Sequence, residues 1–311
     1  MKDMSKLVLL TGFLGAGKTT FLNHVLQEFS QEKIGLIVNE FSGTGVDGAL
    51  IRHDIPGASM IELNNGSIFC ACIKDSFVDS LIDLAGRNLD YVFVEASGLA
   101  DPSSISSILD QIATLSCAVY DYCGAICLVD ALYFPKYLKL LLALRRQVEY
   151  SRAVILNKVD LVTGEQLTQV EQSIREINPS AALYRTTYAN VSLREILSGG
   201  PQEEAAPQES SNTESSRPVT ITLSTQEAVT PQALRQFLDE IAPSTYRVKG
   251  FCRTTEGTKN VSMVGTVCQI EDWGDALGQT QLVIISNVGV RIFSITLEAA
   301  KRCFQSPVDL R

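Results

Sequence analysis

The sequence predicts an α/β fold, a doubly wound and mostly parallel sheet, followed by a small α+β domain. Over about the first two hundred residues, short β-branched runs alternate with helical patterns, as in parallel strands joined by crossover helices. Residues 198–218 then lack aromatic and branched aliphatic side chains. Beyond them, strand patterns follow one another without crossover helices. We therefore expect one domain at 1–197, a flexible acidic linker at 198–218 and a second domain at 219–311.

The strands predicted in the first domain are short runs whose nearly continuous apolar character fits a sheet covered on both faces. They lie at residues 7–11, 34–38, 91–94, 125–129 and 153–156. The helices predicted between them lie at 19–28, 75–85, 135–147 and 164–176. Because the two kinds of element alternate, the sequence predicts parallel strands with crossover helices.

The second domain has the pattern of an antiparallel α+β unit. Its predicted strands lie at 219–223, 246–253, 261–270 and 282–286, and its predicted helices at 231–241 and 296–304. About ninety residues are enough to form a hydrophobic core of their own. We therefore expect this domain to have its own core.

Composition and charge exclude several classes of function. The 311 residues include 26 Lys and Arg against 35 Asp and Glu, a formal net charge of −9. Because binding to phosphate backbones needs clustered cations, this balance argues against a nucleic-acid or acidic-membrane partner. The first residues lead directly into an apolar run of five residues, too short for a membrane-spanning helix or a signal-peptide core.

Eight cysteines are spread along the chain without a CxxC pair. In a chain of this size, that pattern predicts reduced thiols in a cytoplasmic protein, most of them buried as small apolar side chains. Cys123 and Cys127 are four residues apart at a predicted strand. Alternation along a strand predicts that both lie on the same face.

The most informative motif is GFLGAGKT at residues 12–19, which matches GxxxxGK[ST] where a predicted strand ends and a helix begins. Glycines let successive backbone N–H groups face one anion, and the helix N-terminus adds its dipole. We expect Lys18 to neutralise β- and γ-phosphate oxygens and the Thr19 hydroxyl to bind Mg²⁺. The motif therefore predicts a P-loop nucleoside triphosphatase. Its predicted binding residues are Gly12, Gly15, Ala16, Gly17, Lys18, Thr19 and Thr20.

A second motif, NKVD, follows the predicted strand at 153–156. The Asp160 carboxylate can accept hydrogen bonds from N1–H and the exocyclic amine of guanine, whereas adenine presents an acceptor at N1. Downstream of a phosphate loop, the motif predicts that Asn157, Lys158 and Asp160 bind the base of GTP or GDP. Taken alone, the same residues are typical of a polar turn at a strand exit. Residues 186–190 follow a further short strand and could close over the base.

Several segments together resemble the CobW family of GTPases, relatives of the nickel-enzyme maturation GTPases HypB and UreG. The segments are TGFLGAGKTTFLNHVL, VNEFSGTGVDGALI, ELNNGSIFCAC, VEASGLADP and LNKVDLV, with YRVKGF and Trp273 beyond the linker. The resemblance covers nearly the whole chain. It implies slow, Mg²⁺-dependent GTP hydrolysis that is coupled to the delivery of a metal or a metal cofactor to a client metalloenzyme.

The resemblance also implies roles for individual residues. Glu95 occupies the Walker B position and would hold Mg²⁺ or its water, with Gly98 near the γ-phosphate. Glu40 and Asp47 lie in a segment that resembles switch I, where a carboxylate could approach Mg²⁺ or orient the attacking water. The implied catalytic residues are Lys18, Glu95, Asp47 and Gly98. The simpler alternatives are a solvated loop around Glu40 and Asp47, and a Glu95 that caps the helix after Pro102.

The sequence departs from the family at its metal-handling signature, Asn-Gly-Cys-x-Cys-Cys. Two of the three family thiols are replaced by Ser67 and Phe69, Cys70 is kept, and Cys72 is an additional cysteine. Cys70 and Cys72 can offer two thiolates to a soft ion such as Zn²⁺ or Cu⁺, and the expected metal cofactor is Zn²⁺ or Co²⁺. Glu40, the other switch I carboxylate or another molecule would supply a third ligand. The alternative is that both thiols pack as neutral groups beneath the switch segment.

Two classes of function stay open at this point. In the first, the chain is a GTPase whose hydrolysis changes the surface that it offers to a metal ion or a client. In the second, it is a nucleotide-switched binding module for a corrinoid protein or a methyltransferase system, without free-metal cargo and with hydrolysis only beside the partner. A homodimer is compatible with both.

Overall fold

The computed structural model describes residues 4–39, 59–63, 68, 74–116, 118–199, 218–274, 278–304 and 307–311. The chain divides into two compact units, Met1–Ser216 and Arg217–Arg311. This division falls within the predicted linker, and the domain boundaries given above stay predictions. Within the described ranges, no helix is both long enough and apolar enough to cross a membrane.

The first unit is built on a sheet of seven parallel strands, as predicted for a doubly wound α/β fold. The strands are β1 (Ser5–Gly12), β2 (Ile34–Asn39), β3 (Ser59–Leu63), β4 (Tyr91–Glu95), β5 (Tyr120–Asp130), β6 (Ser151–Asn157) and β7 (Ala182–Arg185). The helices are α1 (Lys18–Glu28), α2 (Lys74–Ala85), α3 (Ile105–Ser116), α4 (Phe134–Leu138), α5 (Leu142–Glu149), α6 (Gly164–Ile177) and α7 (Leu193–Ser198). The order of the strands across the sheet is β3-β2-β4-β1-β5-β6-β7.

Helices cover both faces of this sheet, which explains why its strands are apolar on both sides. On one face, the core includes Phe21 and Leu22 of α1 together with Leu193 of α7. On the other face, it includes Phe77 of α2 and Ile108 of α3. β1 lies between β4 and β5, so the chain first runs from β1 to strands on one side of it and later crosses from β4 to strands on its other side. The carboxyl end of such a strand is where α/β sheets bind their ligands.

The helix predicted at 135–147 is wrong as a single element, because the structure contains two helices, α4 and α5. The chain leaves the helical conformation at Leu141, whose φ of −126° and ψ of 110° are those of an extended residue. Leu140 and Leu142 on either side of it are exposed. Because residues 140–144 around the break are all apolar, helical periodicity contains no signal for it.

A β-bulge in β5 contradicts the prediction for its two cysteines. The register between β1 and β5 shifts by one residue near Gly124, whose φ of 91° is left-handed. The extra residue interrupts the alternation of side chains between the two faces. Cys123 packs against the core cluster that contains Ile126 and Leu128, whereas Cys127 lies on the opposite face. Both carry free thiols.

The second unit is a six-stranded antiparallel sheet with two helices on one face, which confirms the predicted α+β class. The strands are β8 (Thr220–Thr225), β9 (Thr245–Thr254), β10 (Gly257–Val264), β11 (Val267–Asp272), β12 (Thr280–Ser286) and β13 (Asp309–Leu310). The helices are α8 (Pro231–Ile241) and α9 (Ile292–Cys303). The strand order is β11-β10-β9-β12-β8-β13. Phe237 of α8 and Ala299 of α9 pack with Val248 and Leu282 of the sheet in one core.

The strand predicted at 261–270 is also two elements. β10 and β11 form a hairpin in which Val264 pairs with Val267. The two residues between them, Gly265 and Thr266, form the turn, and Gly265 has a positive φ of 57°. A glycine inside an apolar run is a turn signal that the prediction did not use.

Candidate nucleotide-binding site

The loop between β1 and α1 depends on glycines that have no room for a side chain. Gly12 has a φ of 132°, and a Cβ added there would lie 2.2 Å from the Leu128 carbonyl oxygen of β5. Gly17 has a φ of 107°, and its Cβ would lie 2.5 Å from Nδ2 of Asn157. Gly15 also has a positive φ, 73°. Since these conformations favour glycine, the sequence dictates the turn that brings the loop to the start of α1.

Lys18 is the first residue of α1, and its ammonium folds back over the loop. Its Nζ donates to the carbonyl oxygens of Gly12 and Phe13, at 2.8 and 3.1 Å. The residue is 6% exposed. The cation is thus held beside the glycine turn, in the position from which it can neutralise an anion bound by the loop. Thr20, the last predicted loop residue, is exposed on α1.

Glu95 ends β4 beside the first turn of α1. The Thr19 hydroxyl donates to Oε1 of Glu95 at 3.1 Å, and Glu95 is only 5% exposed. A carboxylate removed from water needs compensating charge, and a hydroxyl next to a carboxylate is the oxygen donor set that Mg²⁺ prefers. The two residues therefore fit a magnesium ion. The alternative role of Glu95 as a helix cap is wrong, because Asp101 caps the turn at Pro102 by accepting the Ser103 N–H.

Gly98 lies directly against the phosphate loop. A Cβ added to it would lie 2.6 Å from the backbone nitrogen of Leu14. Gln147 of α5 also holds this turn, because its Nε2 donates to the carbonyl oxygens of Gly98 and Ala100 at 3.3 and 2.9 Å. Gly98 therefore lies beside the loop, and its closeness to a bound γ-phosphate stays a prediction. Gln147 is buried, and its role in holding this turn was not predicted from the sequence because no motif contains it.

Asn157, at the end of β6, joins the phosphate loop to the 186–190 loop. Its Nδ2 donates to the Ala16 carbonyl oxygen, and its Oδ1 accepts from the Ala189 N–H, both at 2.9 Å. The Ala189 carbonyl oxygen lies 3.2 Å from Nδ1 of His24 on α1. Tyr188, beside it, has a φ of 55° and is 76% exposed. The loop expected to close over the base is therefore fixed to α1 and to Asn157.

The other two NKVD residues lie at the rim. Lys158 has a φ of 61°, and its Nζ donates to Oδ2 of Asp130 at 2.7 Å. Asp130 also accepts the N–H groups of Leu132 and Tyr133, so it caps the turn before α4. Asp160 is exposed on the short 3₁₀ turn Val159–Leu161. Its carboxylate is thus open to a ligand.

The predicted ligands of a transition metal, Cys70, Cys72 and Glu40, lie outside the described residues. The second switch I carboxylate, Asp47, also lies outside them. In the part of the chain that the structure describes, no group of three or more His, Cys, Asp and Glu side chains could hold a metal ion.

Asn39 is a further residue that the sequence analysis missed. It ends β2, is 4% exposed, and its side chain binds three different segments of the chain. Its position at the end of a strand could have indicated a role in the site. Four polar residues end apolar parallel strands in this way: Asn39, Glu95, Asp130 and Asn157. Such residues gather at the carboxyl edge of the sheet.

Two family models match the chain, one in each unit. Residues 6–185 match the family described as CobW/HypB/UreG, nucleotide-binding domain, and residues 219–298 match the Cobalamin synthesis protein cobW C-terminal domain. Zinc-regulated GTPase metalloprotein activator 1 of Dictyostelium discoideum is 30% identical over 226 residues, covering 62% of this chain and 48% of that protein. The zinc chaperone YjiA of Escherichia coli strain K12 is 36% identical over 191 residues, covering 60% of this chain and 58% of that protein.

Among solved structures, the Zn(II)-bound YjiA GTPase from E. coli is similar over 97% of this chain and 100% of that one, with 23% identity and a TM-score of 0.48. The chain spans about half the length of the curated relatives that it matches. The nucleotide-binding family match covers more than half of the sequence and includes the phosphate loop, Glu95 and the NKVD motif. The chain therefore belongs to the CobW/HypB/UreG family.

Proposed function

We propose that this protein is a GTPase that binds GTP with Mg²⁺, hydrolyses it slowly and couples the change of nucleotide state to the delivery of a metal ion to a client metalloprotein. The observation that carries the proposal is the juxtaposition of three groups. A glycine turn lies under the Lys18 ammonium, and the pair Thr19 and Glu95 lies at the start of the same helix. This arrangement matches the charges of a magnesium triphosphate.

Each group has a distinct task in this proposal. The backbone N–H groups of the loop and Lys18 bind the β- and γ-phosphates, and Lys18 exchanges its carbonyl partners for phosphate oxygens. Thr19 and Glu95 hold Mg²⁺, which supplies charge neutralisation at the phosphate oxygens when bound. Gly98 brings its backbone close to the loop, where the γ-phosphate would lie. Asp47 would orient the attacking water, as the family resemblance implies.

Guanine selection is assigned to the end of β6. Asn157 fixes the geometry between the two loops, Lys158 lies at the rim, and the exposed Asp160 carboxylate accepts from N1–H and the exocyclic amine of guanine. Because ATP lacks both donors at matching positions, it would leave that carboxylate desolvated and without hydrogen bonds. The proposed nucleotide pair is therefore GTP and GDP.

The proposed cargo is a transition-metal ion, Zn²⁺ or Co²⁺, bound by Cys70 and Cys72 with Glu40 as a third ligand. Two relatives are named for zinc, which favours Zn²⁺ as the first ion to test. We also propose a cytoplasmic location, because thiolate ligands need a reducing compartment. The client is proposed only as a metalloprotein, and the homodimer stays a prediction.

The nucleotide part is tested by Asp160→Asn. This change removes an acceptor for two guanine donors, so the affinity for GTP should fall about 10- to 100-fold while the affinity for ATP is unchanged. Asp110→Asn, at another exposed aspartate, is the matched control. Calorimetric titration with both nucleotides measures the effect, alongside phosphate release with and without Mg²⁺. Unchanged discrimination against ATP would contradict the base assignment.

The metal part is tested by equilibrium dialysis with Zn²⁺ and with Co²⁺, in the presence of GDP or a non-hydrolysable GTP analogue. We expect stoichiometric binding that is stronger with the GTP analogue and lost in the Cys70→Ser/Cys72→Ser double variant. Cys268→Ser in the second unit is the control, since its half-buried thiol lies on β11. Wild-type protein that binds neither ion in either nucleotide state would refute the free-ion cargo and favour the corrinoid alternative.

A further inference from the structure

Asn39 connects three segments of the first unit through one buried side chain. Its Oδ1 accepts the N–H of Ile68 at 3.1 Å and the N–H of Ser97 at 3.3 Å. Its Nδ2 donates to the carbonyl oxygen of Leu63, at the end of β3, at 3.1 Å. The side chain thus holds the end of β3 and residue 68 on one side and the turn after β4 on the other.

These contacts assign the orientation of the Asn39 amide. Two backbone N–H groups face one of its terminal atoms, so that atom is the oxygen, and the atom facing a carbonyl is the nitrogen. Because the residue is buried, removal of the amide would leave backbone groups of Leu63, Ile68 and Ser97 without this hydrogen-bond partner in a site that excludes water. The amide therefore adds to the β2 ladders a direct link between the end of β3, residue 68 and the turn after β4.

Each segment leads to a group with a proposed role. Glu40 follows Asn39 directly, and Ile68 is two residues before Cys70. Ser97 lies between Glu95, the proposed magnesium ligand, and Gly98, which contacts the phosphate loop. We propose that Asn39 is the positioning residue that transmits nucleotide state from the Ser97–Gly98 turn to the segment leading to Cys70. This inference rests on the proposed function.

The physical basis is a shared acceptor. Gly98 packs closely on Leu14 of the phosphate loop, so a γ-phosphate bound in the loop would lie near the peptide units around Ser97 and Gly98. Gln147 donates to the Gly98 carbonyl oxygen and Asn39 accepts the Ser97 N–H, so both side chains hold this turn. Because Ser97 and Ile68 donate to the same oxygen, a change in one hydrogen bond changes the geometry available to the other. Asn39 makes this link from the end of β2, outside the loop that binds the phosphates.

The test compares backbone amide hydrogen exchange of the full-length chain with Mg²⁺–GDP and with Mg²⁺ and a non-hydrolysable GTP analogue, without Zn²⁺. In wild-type protein, the peptide containing Ile68 should change its exchange rate with nucleotide state. Asn39→Ala should reduce that nucleotide-dependent difference at least about fivefold, while the affinity for the GTP analogue changes less than about threefold. A difference of wild-type size in Asn39→Ala would overturn the proposal.

Asn178→Ala is the matched control for general destabilisation. Asn178 is also a buried asparagine of the first unit, and its Nδ2 donates to Val148, Glu149 and Ser151 carbonyl oxygens away from the phosphate loop. This variant should keep the nucleotide-dependent exchange difference at Ile68. Loss of the difference in both variants would overturn the specific role of Asn39.

A measurement on the wild type keeps the proposal falsifiable if Asn39→Ala does not fold. The amide NMR resonances of Ile68 and Ser97 should shift together when GDP is replaced by the GTP analogue, and a shift of Ser97 alone would overturn the shared-acceptor role. Calorimetric titration of the wild type with nucleotide and with Zn²⁺ shows which proposal has failed. Absence of nucleotide binding refutes the proposed GTPase, and absence of Zn²⁺ binding refutes only the proposed cargo. Amide shifts of Ile68 and Ser97 that are not coupled refute only the proposed role of Asn39.

Discussion

Gly12 and Gly164 show how the same residue type can be required at one position and replaceable at another. Gly12 has a left-handed φ and faces the Leu128 carbonyl oxygen of the neighbouring strand. Gly164 begins α6, has no positive φ, and a Cβ added to it would meet no atom within 4 Å. Only the first glycine is therefore needed for the shape of the phosphate loop.

We predict opposite effects for alanine at these two glycines. Gly12→Ala should lower the free energy of unfolding by more than about 3 kcal/mol, because Cβ would overlap the backbone of β5 and the φ is strained. Gly164→Ala should raise it by about 0.5 kcal/mol, since alanine reduces the entropy of the unfolded chain without a clash. Urea unfolding of both variants measures the difference. A Gly12→Ala protein of wild-type stability would contradict the loop geometry.

At the residue scale, functional side chains that belong to spaced motifs could be predicted from the sequence, whereas single side chains outside such motifs could not. Lys18, Thr19 and Asn157 stand in fixed patterns whose chemistry explains each residue type. Gln147 stands in no motif and Asn39 is marked only by its place at the end of a strand, and the contacts of both residues join segments that are far apart in the chain. Only the folded sheet shows that a single amide at the end of β2 reaches the turn after β4.

The bulge in β5 determines the environments of Cys123 and Cys127 at the scale of the element. Cys123 is half-buried, whereas Cys127 is 1% exposed. Burial raises the pKa of Cys127 from its ordinary value of 9.0 to about 12, an effect that the nearby Lys18 charge only partly offsets. The thiol is therefore neutral and enclosed at physiological pH. Its burial stabilises the fold fully below about pH 9, and this contribution declines as the pH rises toward 12.

Thiol labelling at pH 8 tests this arrangement. An aromatic disulfide reagent should modify Cys123 of the folded protein, while Cys127 should react only after denaturation, since the reactive species is an accessible thiolate. Mass spectrometry of tryptic peptides identifies the modified positions. Cys252 is an internal control, because its thiol is also buried and its pKa is raised by that burial to about 11. Equal labelling rates for Cys123 and Cys127 in the native state would contradict the bulge.

Elements with clear ends were predicted closely, and elements within uniform apolar runs were not. The helix predicted at 231–241 has the bounds of α8, where Thr230 caps its N-terminus by accepting the Ala233 N–H and Pro231 is its first residue. The break at Leu141 and the hairpin turn at Gly265 interrupt apolar sequence without a change in polarity. Tertiary packing decides such breaks, so periodicity alone does not locate them.

At the scale of the whole molecule, each of the two units has a core of its own. The core of the second unit is formed by side chains of its own sheet and of α8 and α9. The first unit has clusters on both faces of its parallel sheet. The order of strands and helices along the chain therefore predicted the two fold classes, whereas the exact boundary between them stays a prediction.

We expect residues 218–311 to fold when expressed alone. This fragment contains every strand and helix of the second unit, so it should show one cooperative thermal transition by circular dichroism. A shorter fragment, 245–311, lacks β8 and α8 and should stay unfolded, because Phe237 and Leu223 leave the core with them. A 218–311 fragment without a cooperative transition would refute the independence of the second unit.

The proposal that the phosphate loop and Lys18 bind GTP is tested most directly by calorimetric titration of Mg²⁺–GTP into the full-length chain and into Lys18→Ala. We expect a dissociation constant in the micromolar range or below for the wild type. Binding to Lys18→Ala should be at least about 100-fold weaker, because the ammonium held over the loop is lost. Lys33→Ala, at an exposed lysine, should bind as the wild type does. A folded Lys18→Ala protein whose affinity for GTP stays within about threefold of the wild type would contradict the proposed phosphate site.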